Sequence, residues 1–96
     1  MFTFIATDPF KEKRAGIVEN NEQLKKRLKT TLYKLASNPL HPSLKSHKVN
    51  TPKHGAQWSS RITGDIRVIW KYGTSERLII ILLDIGGHSG SRKVYK

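Results

Sequence analysis

Residues 58–95 read WSSRITGDIRVIWKYGTSERLIIILLDIGGHSGSRKVY, and their pattern decides the fold. Along residues 58–63, Trp58, Ser60 and Ile62 share one face of an extended chain, while Ser59, Arg61 and Thr63 share the other. After a Thr-Gly-Asp turn, Ile66, Val68, Trp70 and Tyr72 alternate with Arg67, Ile69 and Lys71, the period of a half-buried strand. The short connection predicts an antiparallel hairpin that returns Arg67 close to Arg61. Residues 78–83 are apolar without interruption, as expected of a strand covered on both faces. Asp84 and the Gly86-Gly87 pair are expected to stop that strand, with His88 immediately after.

Upstream, Phe2, Phe4 and Ala6 alternate with Thr3 and Ile5, which predicts an N-terminal strand. Thr7 or Asp8 is placed to cap a helix with Pro9 in its first turn. That helix, FKEKRAG, is expected to be short or kinked at Gly16, where glycine costs about 1 kcal/mol. A second helix is expected over residues 22–36, with Leu24, Leu28, Leu32 and Leu35 forming its core stripe. Lys25, Lys26, Arg27 and Lys29 fall mostly off the stripe, as a solvated face or part of a phosphate-binding surface. Residues 37–55 hold three of the four prolines and three of the four histidines, with Lys45, Lys48 and Lys53 among them. They read as a loop packed across the domain through Leu40, Leu44 and Val49, bringing His47 and Lys48 toward the sheet. The expected class is α+β, as one domain over residues 1–96: an N-terminal strand, two helices, then an antiparallel three-strand meander, helices on one face.

Eighteen Lys and Arg against seven Asp and Glu leave a formal charge of +11. Such a chain attracts polyanions, chiefly nucleic acid or an acidic protein, although a merely solubilising surface is the plain alternative. With no cysteine there is no disulfide framework, and a cytoplasmic setting is the natural expectation. The first residues lack the apolar region of a secretory signal, and residues 78–83 are too few to span a bilayer.

This charge makes RNA cleavage the first reaction to consider. Transfer of a ribose 2′-hydroxyl onto the adjacent phosphate needs a base at the hydroxyl, an acid at the leaving 5′ oxygen, and cations on the phosphorane. Here His47, Asp65 and His88 are candidates for proton transfer, and Arg61 and Arg67 for the scissile phosphate. Tyr95 is a candidate for base stacking or proton donation, and Lys45, Lys48, Lys53 and Arg92 for RNA phosphates. Each has a structural alternative. Asp65 suits a turn, Arg67 a charged surface, His88 the end of a sheet, Tyr95 C-terminal packing, and Trp58 and Trp70 the core. No two histidines have helical ligand spacing and there is no cysteine, so neither metal nor cofactor is expected.

The stretches LASNPLHPSLKSHKV, WSSRITGDIRVIW and IILLDIGGHSGSRKVY, in that order, resemble the RelE/ParE superfamily of bacterial toxins from type II toxin–antitoxin modules. Within it the likeness is to the YafQ-like and RelE-like ribosome-dependent mRNA interferases. The resemblance implies metal-independent mRNA cleavage in the ribosomal A site, contacts with ribosomal RNA, and neutralisation by a cognate antitoxin. It places the family's loop histidine on His47, the YafQ-like catalytic aspartate on Asp65 and the phosphate-binding strand arginine on Arg67. The histidine after the last strand falls on His88, and the terminal aromatic on Tyr95. Two departures stand out. Arg61 occupies the place of a second hairpin histidine, and Tyr95 lies seven residues after His88 where the family commonly has four. The same fold also serves ParE-like toxins that inhibit DNA gyrase, and a basic RNA-binding module without activity is a third reading. Paired histidines argue for the nuclease, and the antitoxin is expected to be acidic or to carry an acidic segment.

Overall fold

The computed structural model describes residues 1–74 and 78–87. Its elements run β1 (Thr3–Ala6), α1 (Asp8–Val18), α2 (Glu22–Ser37), β2 (His47–Thr51), β3 (Gly55–Arg61), β4 (Arg67–Tyr72) and β5 (Ile79–Gly86). A short 3₁₀ turn at Pro42–Leu44 precedes β2. The five strands form one sheet in the order β1-β5-β4-β3-β2, with β1 parallel to β5 and the other pairs antiparallel.

The leucine stripe of α2 does what its spacing predicts. Leu28 and Leu35 are buried with Phe10 of α1 against Val68, Trp70, Ile80, Leu82 and Ile85, and Leu24 and Leu32 pack at the margin. One sheet face is thereby covered by both helices, an α+β arrangement. A smaller cluster, Ile69 and Leu83 with Val49 and Ile81, lies on the other face. None of the helices among the described residues is long and apolar enough to cross a membrane.

Three local expectations change. Residues 37–55 are not all loop, because His47–Thr51 is an edge strand that pairs with β3. Its HKVNT sequence has a single large apolar residue, so no alternation announces it. What makes it a strand is its ladder with β3 and a tight turn in which Gly55 takes φ 71°. In that turn the Thr51 hydroxyl accepts from the His54 amide at 2.9 Å and donates to the Gly55 carbonyl at 3.1 Å. Second, α1 passes through Gly16 to Val18, because packing of Phe10, Ile17 and Val18 outweighs the glycine penalty.

Third, β5 does not stop at Asp84 but continues to Gly86. Ile69 faces Asp84 while Trp70 faces Leu82, so Leu83 is the extra residue of a bulge. The bulge resets the alternation: Leu82 and Ile85 both reach the main core, while Leu83 joins the small cluster. A bulge leaves carbonyls without ladder partners, and Thr7 meets them. Its hydroxyl does not cap α1 but lies 2.8 Å from the Leu82 oxygen and 3.2 Å from that of Leu83.

Candidate functional site

The ladder brings the start of β2, the end of β3, the start of β4 and the end of β5 to one end of the sheet. His47 pairs with Ser59, Arg61 with Arg67, and Arg67 with Gly86. Paired residues have Cβ atoms about 5 Å apart and diagonal neighbours stand about 7–8 Å apart, so His47 is a diagonal neighbour of Arg61. Asp65 lies in the turn that joins β3 to β4. His47 of β2 thus joins Arg61, Asp65 and Arg67, which follow one another around the β3–β4 turn.

His47 is held by its approach. The 3₁₀ turn ends at Lys45, which adopts the left-handed conformation at φ 51°. Its carbonyl oxygen lies 2.8 Å from His47 Nδ1. A carbonyl only accepts, so Nδ1 carries the shared proton, and in the neutral ring Nε2 keeps the free lone pair. The intervening Ser46 ends a chain of hydrogen bonds that starts in the core. Trp70 Nε1 donates to Ser60 Oγ at 2.7 Å, and Ser46 Oγ donates to the Pro39 carbonyl at 2.7 Å. The 2.6 Å contact between the two serines therefore runs from Ser60 as donor to Ser46 as acceptor. A core tryptophan thus fixes the residue next to the exposed imidazole.

Arg61 and Arg67 face each other across β3 and β4, and among the described residues neither has a carboxylate partner. Like charges directly opposite are unfavourable, a cost that a bound anion would remove. Arg67 Nη2 donates to the Gly64 carbonyl at 3.4 Å, whereas its Nε is buried with no acceptor among the described residues. Arg61 Nε donates to the Thr63 carbonyl at 3.3 Å. Thr63 shapes the turn, its hydroxyl accepting from the amides of Asp65 at 3.2 Å and Ile66 at 2.9 Å. The Asp65 carboxylate then lies against Gly87: a Cβ built there would stand 2.5 Å from Asp65 Oδ2. Glycine at 87 is what admits the carboxylate to the end of β5.

The remaining candidates divide. Lys45 is exposed beside His47. Lys48 does not share the face of His47, since strand alternation turns it to the helix side, where Nζ lies 5.2 Å from the Trp58 ring centroid. Lys53 is exposed in the turn at the opposite end of the β2–β3 hairpin. Trp58 and Trp70 stack on each other at 5.5 Å rather than presenting a free platform. His88, Arg92 and Tyr95 lie outside the described residues.

One charged group of the interior escaped the sequence reading. Asp84 is 2% exposed, with Lys13 Nζ 2.9 Å from Oδ1 and His54 Nε2 3.2 Å from Oδ2. The Ile85 amide also donates to Oδ1 at 2.9 Å. This carboxylate ties α1 and the β2–β3 turn to β5. An aspartate that interrupts an apolar run was the available signal, but it reads equally as a strand terminator.

Solved structures share this fold. A metal-bound toxin from Helicobacter pylori is 21% identical, with a TM-score of 0.72 over 92% of this chain and 96% of that one. A YoeB/ParE toxin from Agrobacterium tumefaciens is 13% identical, with a TM-score of 0.72 over 93% of this chain and 100% of that one. YafQ from E. coli is 16% identical, with a TM-score of 0.67 over 91% of this chain and 93% of that one. The chain has the RelE-like toxin fold. At these identities the RelE-like likeness is one of fold, and the sequence matches no protein-family model and no curated protein. Although the H. pylori toxin is described as metal-bound, among the described residues here no three His, Asp or Glu side chains gather to ligate a metal.

Proposed function

We propose that this protein is the toxin of a toxin–antitoxin pair and an endoribonuclease that cleaves mRNA on the ribosome through its 2′-hydroxyl. The observation that carries the reading is the pairing of Arg61 with Arg67 diagonal to an imidazole whose Nε2 is kept for proton transfer. His47 Nε2 takes the proton of the 2′-hydroxyl as its oxygen attacks phosphorus. The new O2′–P bond forms as the P–O5′ bond breaks, and O5′ leaves with a proton from His88, the next residue in the chain after Gly87. Arg61 and Arg67 neutralise the phosphorane. Asp65, beside Gly87, takes part in proton transfer with His88. The products are a 2′,3′-cyclic phosphate and a 5′-hydroxyl, and no step calls on a cofactor or metal. Tyr95 and Arg92 are assigned to base stacking and a phosphate, and Lys45 and Lys53 to ribosomal RNA. Lys48 contributes charge only from the far side of the sheet. The antitoxin is an acidic polypeptide that covers this cationic end.

The test is to add the protein to ribosomes programmed with a defined mRNA and map the new 5′ ends. Cleavage within codons, blocked by 2′-deoxy substitution at the cut site and reduced at least about 100-fold by His47→Ala, is the expected result. Intact mRNA would refute the nuclease reading. A gyrase inhibitor is the second reading, favoured by the neighbour described as a YoeB/ParE toxin; it predicts DNA damage with transcripts intact.

A further inference from the structure

The cations of α2 have no part in the chemistry above, yet they are not scattered. At helical i, i+4 spacing Lys26, Thr30 and Lys34 form one row, with Arg27 and Thr31 alongside. This row is one wall of a cleft of about 400 Å³. The 3₁₀ turn at Pro42–Leu44 forms the other wall, Leu44 and Ile62 the floor, and Arg61 its end. Lys34 Nζ donates to Ser43 Oγ across the cleft at 3.4 Å, and Ser43 Oγ is held by His41 Nδ1 at 2.8 Å. Among the described residues, four cations and three hydroxyl side chains line the cleft, and no carboxylate does.

We propose that this cleft is a second phosphate site, which holds the backbone of the RNA strand beyond the scissile phosphate. The proposal rests on the endoribonuclease reading and adds the path of the substrate. Arg61 is the link, since it lines the cleft and also faces Arg67 in the sheet. A strand carrying one charge per nucleotide that leaves the Arg61–Arg67 pair at this end meets Arg27, Lys26 and Lys34 next. Cations with hydroxyl donors suit phosphate oxygens. An acidic protein segment is the weaker fit, because protein interfaces are anchored by apolar and aromatic contacts. Among the described residues its apolar lining is Leu44 and Ile62, already buried in the fold.

The experiment measures binding of a fluorescent single-stranded RNA, blocked by 2′-deoxy substitution, over a range of salt concentrations. The wild type is compared with Arg27→Gln/Lys34→Gln and with Lys25→Gln/Lys29→Gln. The second pair removes equal charge from the same helix but lines a different depression, with Arg14. All four side chains are exposed, so the fold is expected to survive, and equal thermal midpoints check it. The cleft pair is expected to weaken binding about tenfold or more at low salt. It should also flatten the slope of log affinity against log salt by roughly 1.4, at 0.7 for each of two phosphates, while the control pair changes the slope by less than half as much. Equal effects of the two pairs, or none from the cleft pair, overturn the proposal and leave the nuclease reading standing. Loss of poly-glutamate binding with RNA binding unchanged also overturns it, assigning the cleft to an acidic protein. A wild-type chain that binds no RNA at all refutes the nuclease reading together with this one.

Discussion

Ser60→Ala cuts the hydrogen-bond chain from Trp70 to Pro39 at its middle. Ser60 and Trp70 are both 0% exposed, so the indole N–H loses its acceptor where water does not reach it. An orphaned buried donor costs about 1–3 kcal/mol. The substitution removes one oxygen, so almost no cavity cost is added. Ser46 is only half-buried and keeps its bond to Pro39, so its own loss is small. The expected destabilisation is about 2 kcal/mol, roughly 8–16 °C in Tm for a chain of this size. Urea unfolding measures it, with an unchanged m-value as the check that the unfolded ensemble is the same. Trp70→Phe supplies the decisive background, since without the indole donor Ser60→Ala should cost less than about 1 kcal/mol. Equal costs in the two backgrounds would refute the reasoning, because Ser60 would then stabilise through something other than the indole bond. If the chain also sets His47, Ser60→Ala should lower kcat for mRNA cleavage more than it raises KM.

Lys13→Met should destabilise more than Asp84→Asn in denaturant titrations. The first leaves a carboxylate of 3% side-chain exposure with His54 and the Ile85 amide but no lysine, worth about 3 kcal/mol, whereas the second removes the buried charge and leaves partly exposed side chains to water, worth about 1–2 kcal/mol. The reverse order would show that the ion pair is not what orders this corner. Gly87→Ala should displace the Asp65 carboxylate, whose oxygens stand where the new Cβ must go. Single-turnover cleavage should fall in the same variant, and a fully active protein would remove Asp65 from the site. Arg67→Lys keeps the charge but not the planar fork, so cleavage should drop about tenfold or more with RNA affinity nearly unchanged. A proportional loss of affinity would mean that Arg67 holds the ground state rather than the transition state.

How much of the site was legible depended on locality. The return of Arg67 to Arg61 follows from a short hairpin, and a period of two is enough to read it. That His47 joins them required β2, and β2 is an edge strand whose pairing, not its composition, makes it a strand. The same pairing decides that Lys48 turns away over Trp58. The place of Asp65 against the end of β5 could not be read at all, because it depends on the turn made by Thr63 and on the space left by Gly87.

From the residues alone came both helices, the leucine stripe, four of the strands and the cationic character. Each of these rests on periodicity or charge, which are properties of short windows. The tertiary structure alone decided the edge strand, the bulge at Leu83, the serine chain beneath His47 and the burial of Asp84 between Lys13 and His54. Those features satisfy polar groups with partners from distant segments, and no local pattern encodes a partner that only folding brings within hydrogen-bonding distance.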